Sequence, residues 1–462
     1  MQKLYMYDVR GIQNYIFRTN KVKEIVGASL LVEELILNLF KDASQSYKVK
    51  DFEPNDLELE FSFDENNKWD AEILYYGGGN LLVLYNDDDI GKKVSREMCI
   101  ELVKNTYSLQ LAVASVDVTG ENRYQEDYEA LRKEMDRVKM NMPMTLPITG
   151  FPITSNDPVT GFPFSKKMDG QKVTYETFCK LNKYKEFSKN EKKNYSDFGK
   201  DSRIAIIHID GNNMGQRLKD EIGNVKTYRE AARITRHFSN DIQKAFSDVA
   251  LKEVEKFAYQ YNKEEILRYR TIIHAGDDIT FMCDAKIALK CVQIFMDSLK
   301  GYTACAGIYI TKPHFPFSRG YEFCEELCSN AKKGSRKNDG NFFDFHINYG
   351  GILNDIDYIR KTNYRNVNNK ELYARPYYMG KDKVDMTSLY QLKHVLKTIK
   401  EANIARTQLK ELREAFYEGD EILQQNIDRI NSRLSKDKKV EFKNKELLFD
   451  AIDVLDLDWG DE

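Results

Sequence analysis

The sequence predicts an α+β protein: two ferredoxin-like units in tandem, followed by a C-terminal helical domain. Three observations carry that expectation. The order strand–helix–hairpin–helix–strand is written out twice, over about residues 3–117 and 202–348. Each hairpin turns on a glycine-bearing tetrapeptide, Gly77-Gly78-Gly79-Asn80 in the first and Ala275-Gly276-Asp277-Asp278 in the second. From about residue 384 the apolar residues step by three and four, as in Leu389, Leu392, Leu396 and Ile399.

Length and composition agree. The 462 residues correspond to about three domains. Apolar residues make up 42% and charged residues 31%, which is a globular balance able to bury a large core. Lys plus Arg is 70 and Asp plus Glu is 73, so the net charge is −3 and a basic coat is excluded. A local basic groove is not. No run approaches the roughly 18 apolar residues of a membrane span. The opening MQKLYMYDVR has neither the basic nor the apolar region of a leader. Seven cysteines, odd in number and without a CxxC pair, point to a reduced cytoplasmic setting with no disulfide frame or zinc ribbon.

The first unit starts with the strand KLYMYDV, ending at Asp8. The helical stretch GIQNYIFRTNKVKEIVGASLLVEELILNLF follows, then the hairpin AEILYYGGGNLLVLYND, a helix over about 91–108, and the strand LQLAVASVDV. A proline-rich segment (144–167), with TGFP twice, reads as a linker. Residues 168–200 are rich in Lys and Tyr and are expected to be helical and exposed; Lys180–Lys200 reads as a solvated face, with nucleic-acid contact as the alternative. The second unit runs RIAIIHID, a helical region to about Tyr261, the hairpin ILRYRTIIHAGDDITFMCD, the helix KIALKCVQIFMDSL, the strand TACAGIYIT, the helix SRGYEFCEELCSNAKKG and the strand FFDFHINYG. The domains expected are 1–143, 144–200, 201–380 and 381–462. The acidic tail DAIDVLDLDWGDE is expected to pack as a terminal helix, with a docking tail as the alternative.

Two motifs carry chemistry. HIDGNNMG (208–215) puts Asp210 at the carboxyl end of an apolar strand, and HAGDDITF (274–281) puts Asp277 and Asp278 at a tight turn between two apolar strands. If those strands are neighbours, the three carboxylates converge, at a cost set by like charge. Mg2+ or Mn2+ removes that cost, because such an ion takes one or two carboxylates plus substrate phosphates. A pair of ions suits nucleotidyl transfer. Gly211 allows a sharp turn with free amides near a phosphate, and a helix starting near Asn212 aims its N-terminus at one. Asn212 and Asn213 can bond sugar or base edges. Lys332 or Lys333, in the last turn of its helix, can reach a β- or γ-phosphate. Each feature has a plain structural alternative: hairpin turn, helix cap, cationic C-cap. Their order along one chain favours the nucleotide–metal site. His208 and His274 read as core histidines.

The segments DVRGIQNYIF, GASLLVEEL, YYGGGNLLVLY, IDGNNMG, AGDD, SNAKK and YARPYYM occur in an order that resembles a known family. The second unit resembles the palm domain shared by GGDEF diguanylate cyclases, class III nucleotide cyclases and the large polymerase–cyclase subunit of type III CRISPR effector complexes, the last being nearest. The resemblance spans roughly residues 4–400. It implies two palms packed as a pseudo-dimer around two ATP molecules. Only the palm with the GGDD hairpin catalyses, and it joins ATP into cyclic oligoadenylates that activate nucleases in antiviral defence. On this resemblance Asp210, Asp277 and Asp278 are the catalytic metal ligands. Gly211, Asn212, Asn213, Gly276, Lys332 and Lys333 lie along the nucleotide. The first palm has no acids in its turn, so Gly77, Gly78, Gly79 and Asn80 offer backbone amides to a phosphate, and Asp8 is structural. Ser29 faces the acceptor nucleotide or serves close helix packing. The partners implied are ATP, other CRISPR effector subunits and guide or target RNA, with no membrane. The sequence departs from the family at Ala275, which replaces the first motif glycine. It shows no histidine–aspartate nuclease motif and no cysteine quartet, so a short, stand-alone form without the N-terminal nuclease domain is expected. A catalytically weak nucleotide-binding scaffold and a cyclic-dinucleotide synthase are the alternatives.

Overall fold

The structure, a computed structural model, describes the chain apart from residues 34, 51, 53–55, 65–66, 78, 143–152, 191–202, 262–267, 351–353, 383–385, 437–438, 458 and 460–462. The chain forms two compact units. The first is Met1–Asn194, Asn213–Asp248 and Ile272–Asp277; the second is Tyr195–Asn212, Val249–Thr271 and Asp278–Glu462.

The first unit is built on β1 (Lys3–Arg10), β2 (Val49–Lys50), β3 (Ala71–Gly77), β4 (Asn80–Tyr85) and β5 (Gln110–Asp117), in the order β2-β3-β4-β1-β5. β1 pairs antiparallel with both β4 and β5. Its helices are α1 (Ile12–Ile16), α2 (Val22–Glu33), α3 (Leu35–Ala43), α4 (Asp88–Thr106) and α5 (Tyr124–Asn141). α4 starts where Asp87 accepts from the Asp89 amide, with Asp88 and Asp89 in its first turn. The sequence reading gives no helix after β5, yet α5 packs Leu131 and Met135 onto Leu4, Leu82, Ala112 and Ala114 of the sheet. The stripe Tyr124, Tyr128, Leu131, Met135, Val138 is the signal for it.

The insert differs from a purely helical segment. It opens with a ribbon of β6 (Phe164–Met168) and β7 (Gln171–Thr174). Asp169 and Gly170 turn it with φ of 51° and 80°, the pairing expected of an Asp-Gly hairpin turn. α6 (Tyr175–Asn190) then lies against α2, and Lys180 on it is fully buried. This corrects the solvated-face reading for Lys180. Its ammonium donates to Tyr15 O (2.6 Å) and Glu176 Oε1 (2.7 Å) and stands over the Tyr15 ring. A buried lysine persists only with such partners.

α7 (Met214–Ile222) and α8 (Tyr228–Ile242) follow a second-unit strand in sequence but pack within the first unit. Arg236 on α8 is 3% exposed. It donates to the carbonyls of Glu58 (2.9 Å) and Leu74 (3.3 Å) and to Glu72 Oε1 (3.2 Å). A π-helical stretch, Gln243–Leu251, continues toward α9 (Lys252–Tyr261).

The second sheet consists of β8 (Ile204–Gly211), β9 (Tyr269–Ala275), β10 (Asp278–Asp284), β11 (Ala304–Thr311), β12 (Phe342–Ile347) and β13 (Tyr377–Tyr378), in the order β13-β12-β11-β8-β10-β9. β8 is central and buried along its apolar run, antiparallel to β10 and β11. α10 (Ala288–Ser298) and α11 (Phe317–Asn338) belong to the second unit, as do α12 (Ile356–Asn363), α13 (Leu389–Ala402), α14 (Arg406–Glu418), α15 (Asp420–Arg433) and α16 (Lys445–Asp453). Ser388 and Gln391 form a capping box at α13. The terminal segment packs as a helix: Asp450 of α16 is buried and receives Arg375 Nε (2.9 Å) and Nη2 (2.6 Å). Arg375 also donates to Asp453 (3.2 Å) and to Phe345 O (2.8 Å). The motif YARPYYM therefore ties the sheet to the C-terminal helices. Two sheet-based units and a helical C-terminal region agree with the fold the sequence predicts. Among the described residues no helix is long and apolar enough to cross a membrane.

Candidate active site

The site is built from three elements of the second unit. β8 carries Asp210 at its carboxyl end. β10 opens with Asp278. These two residues are direct register partners on antiparallel strands. On its other side Asp210 faces Cys305 of β11. α11 supplies the cation: Lys332 Nζ donates to Asp210 Oδ2.

Close packing puts Lys332 there. Gly307 on β11 has no side chain, and a Cβ at that position would meet Cys324 O of α11 at 2.1 Å and Cys328 N at 2.7 Å. The helix therefore seats directly on the strand, and Lys332 lies one turn beyond Cys328. α11 runs on to Asn338, with Arg336 and Lys337 as the basic residues of its last turn. Lys332 and Lys333 are thus not in the last turn, and the C-cap alternative falls. Lys333 is exposed on the neighbouring face.

Burial opposes the charge on Lys332. The hydrogen bond and charge of Asp210 together outweigh it, and the ammonium pKa is raised. His208, two residues before Asp210, is 6% exposed and bonds Thr280 Oγ1 at 3.1 Å. Its Nδ1 lies 3.4 Å from Asp278 Oδ1, an ion-pair distance only if the ring is charged. Burial pushes its pKa down to about 4, the effect of Lys332 adds to this, and Asp210 opposes it. The ring is neutral near pH 7, so the contact is not an ion pair, and His208 is the core histidine the sequence suggests. The edge of the Tyr321 ring packs on it, 5.5 Å between centroids. Burial and the Asp278 charge keep the Tyr321 phenol protonated. Burial pushes the Cys305 thiol up to about 11 and raises Cys328 as well, so neither offers a thiolate.

Other expected residues take these places. Asn212 is buried, and its Nδ2 donates to Thr303 Oγ1 (3.0 Å) and Gly340 O (3.0 Å), so both amide protons tie strand ends together. Asn213 is exposed, has φ of 57° and is the N-cap of α7 without a side-chain cap bond. Gly211 is the buried last residue of β8. Gly276 turns the hairpin at φ +66°, and Ala275 ends β9 in an exposed position. The left-handed position therefore keeps its glycine, and the departure at Ala275 fits. Asp277 is the turn residue before Asp278. Among the described residues no cluster of three or more His, Cys, Asp or Glu is arranged to hold a metal. His274 sits near Glu33 (Nδ1 to Oε1, 3.4 Å) and bonds Ser247 Oγ.

The first unit repeats the arrangement without the second acid. Asp8 on β1 faces Asn80 on β4 and Ala112 on β5, and Lys139 of α5 donates to Asp8 Oδ2. The sequence pattern shows Asp8 alone, because its partner Lys139 lies on α5, beyond the strand–helix–hairpin–helix–strand order. Gly79 has φ of 80°, and its carbonyl accepts from Val9 N at 3.1 Å. Gly78 lies outside the described residues. In the GAS motif, Gly27 serves packing: a Cβ there would meet Lys180 O at 2.0 Å. Ser29 is half-buried two residues on.

The two carboxylate-bearing strand ends and Lys332 of α11 lie within one stretch of the chain, residues 210–332. Residues 203–340 match the family model of the Cas10/Cmr2 second palm domain. That segment is similar to the second palm of Cas10/Cmr2. Solved structures with the same fold include a Csm1-Csm4 cassette in complex with pppApApA (15% identity, 99% of this chain and 69% of that chain, TM-score 0.52). A Csm1-Csm4 cassette in complex with pppApA has 13% identity, 99% and 69% coverage and a TM-score of 0.54. Csm1 from T. onnurineus has 14% identity, 100% and 70% coverage and a TM-score of 0.51. No curated protein matches the chain. At these identities the structural likeness is one of fold, and it covers both palms and the helical region.

Proposed function

We propose that this protein is a divalent-metal-dependent nucleotidyltransferase that joins ATP into cyclic or linear oligoadenylates. The observation that carries the reading is the Asp210–Asp278 pair in the segment that matches the Cas10/Cmr2 second palm. Oligoadenylates in the similar Csm1-Csm4 cassettes support the substrate class. On this reading other CRISPR effector subunits are partners.

The residues fit a hard cation. Two oxygen donors stand on opposed strand ends, and the Lys332 ammonium already marks the Asp210 oxygen as a seat for positive charge. Asp210 and Asp278, with Asp277 beside it in the turn, would hold Mg2+ or Mn2+. One or two carboxylates plus substrate phosphates is the usual set for Mg2+. When bound, the ion lowers the pKa of the attacking hydroxyl and stabilises the leaving oxygen. The 3′-hydroxyl of one ATP attacks the α-phosphorus of another. A P–O bond to the 3′-oxygen forms, the α–β P–O bond breaks, pyrophosphate leaves and the hydroxyl proton passes to solvent. Lys332 and Lys333 meet the phosphate charge, and the neutral His208, with the Tyr321 ring packed on it, lies beside Asp278.

The test is incubation of the full chain with each nucleoside triphosphate and Mg2+ or Mn2+, with products resolved by mass spectrometry. The reading expects oligoadenylate from the wild type and none from Asp277→Ala/Asp278→Ala. Product in the double variant would overturn the site, and guanine-containing product would replace ATP as the substrate. Tight ATP binding without product under either metal would favour a binding scaffold; the Lys332 ammonium already seated on Asp210 is the observation on that side.

A further inference from the structure

We infer that Lys332 is a built-in counter-ion that exchanges with metal: in the metal-free protein its ammonium holds the Asp210 oxygen that a divalent ion takes, and it is released toward phosphate when metal and nucleotide enter. The inference rests on reading Asp210 and Asp278 as metal ligands. It adds that the site has a resting state of its own.

The first observation is the contact itself. Lys332 donates to Asp210 Oδ2, with side-chain exposures of 25% and 34%, so this is a partly buried pair rather than a surface one. An ammonium and a divalent ion on one carboxylate repel each other, so metal entry at Asp210 weakens the Lys332 contact.

The second is charge balance. Asp210 and Asp278 are register partners, so their negative charges are fixed side by side on the sheet. One ammonium neutralises one carboxylate. His208 lies 3.4 Å from Asp278 and is buried and bonded to Thr280. A divalent ion offers both carboxylates the charge that Lys332 offers to one, and so makes Lys332 redundant.

The third is the internal copy. Lys139 stands fifteen residues after Tyr124 at the start of α5, and Lys332 stands fifteen residues after Phe317 at the start of α11. Lys139 donates to Asp8 as Lys332 donates to Asp210. Opposite Asp8 the strand partner is Asn80. Where only one acid is present, the lysine is the whole answer. Where two are present, the same lysine is a placeholder. A flexible four-carbon stem lets its point charge move from carboxylate to phosphate oxygen without refolding the helix.

The test is an Mn2+ titration of the full chain without nucleotide, read by electron paramagnetic resonance, followed by ATP titration with Mn2+ saturating. Lys332→Met is expected to bind Mn2+ about fivefold more tightly than wild type, the factor that matches loss of a partly exposed ion pair. It is expected to bind ATP about tenfold more weakly in the second titration, as expected for one lost charged hydrogen bond. Lys139→Met is expected to leave the Mn2+ affinity unchanged, and Asp278→Asn to abolish tight binding. Lys332→Gln serves the same comparison where the methionine variant does not fold. Mn2+ binding by Lys332→Met equal to or weaker than wild type, with Asp278→Asn still defective, would overturn the exchange and leave the metal site standing. Undiminished Mn2+ binding by Asp278→Asn would overturn the metal-ligand reading itself.

Discussion

Adding one methyl group at Gly307 tests whether helix packing sets the chemistry. In Gly307→Ala the new Cβ meets Cys324 O at 2.1 Å, where ordinary contact begins at 3.4 Å. The second clash, Cys328 N at 2.7 Å, is also backbone, so no side-chain rotation relieves it. α11 must lift by about 1 Å along the stretch that leads to Lys332. Overpacking of this kind costs about 1–3 kcal/mol. A displacement of about 1 Å at a positioning group costs on the order of a hundredfold in rate. The assay pairs thermal unfolding with oligoadenylate formation. Trp459 reports the second unit once Trp69 is replaced by Phe, because these are the only two tryptophans. Its Nε1 donates to Ala285 O at 2.9 Å. The expected result is a folded protein with lowered Tm and rate reduced far beyond what the stability loss explains. Gly215→Ala is the control: nothing lies within 4 Å of its Cβ, and α7 gains a better helix former. Wild-type Tm and wild-type rate in Gly307→Ala would refute the claim that the seat at Gly307 places Lys332.

Arg375→Ala is expected to destabilise the second unit by about 3–5 kcal/mol in urea unfolding, because it leaves the buried Asp450 carboxylate without its main cation. A loss below about 1 kcal/mol would show that the clamp does not hold the C-terminal helices. His346 is buried, and burial first, then Arg375 and Arg360, push its pKa well below 6.5. The unfolded chain then binds a proton that the native chain refuses, so this contribution to stability is full above pH 6.5 and is lost as pH falls below it. His346→Gln is expected to flatten the acid-side slope of stability against pH; an unchanged or steeper slope would contradict the assignment.

Much of this was legible in the sequence because the decisive signals are local. Asp210 follows an apolar strand, Asp278 opens one after a glycine turn, and both strands are continuous in the chain. Lys332 was legible from its place in SNAKK, though the helix runs further than the motif suggests. What local pattern does not record is which distant partner a polar group meets. Asn212 reads as a nucleotide contact, and the sequence does not show that its amide protons go to Thr303 and Gly340. Lys180 reads as solvated until Glu176, Tyr15 O and the Tyr15 ring enclose it. α7 and α8 read as part of the second unit by sequence order, but the carbonyls that Arg236 bonds belong to the first. α5 lies outside the strand–helix–hairpin–helix–strand order that marks the first unit, and it carries the lysine that pairs with Asp8.

The most direct test of the central claim is the rate of pyrophosphate release from ATP with Mg2+, measured for wild type and Asp278→Asn side by side. The account predicts pyrophosphate release by the wild type, its suppression when 3′-deoxyATP replaces ATP, and a loss of at least about a hundredfold in Asp278→Asn. Equal rates in the two proteins, or release that survives removal of the 3′-hydroxyl, would contradict it.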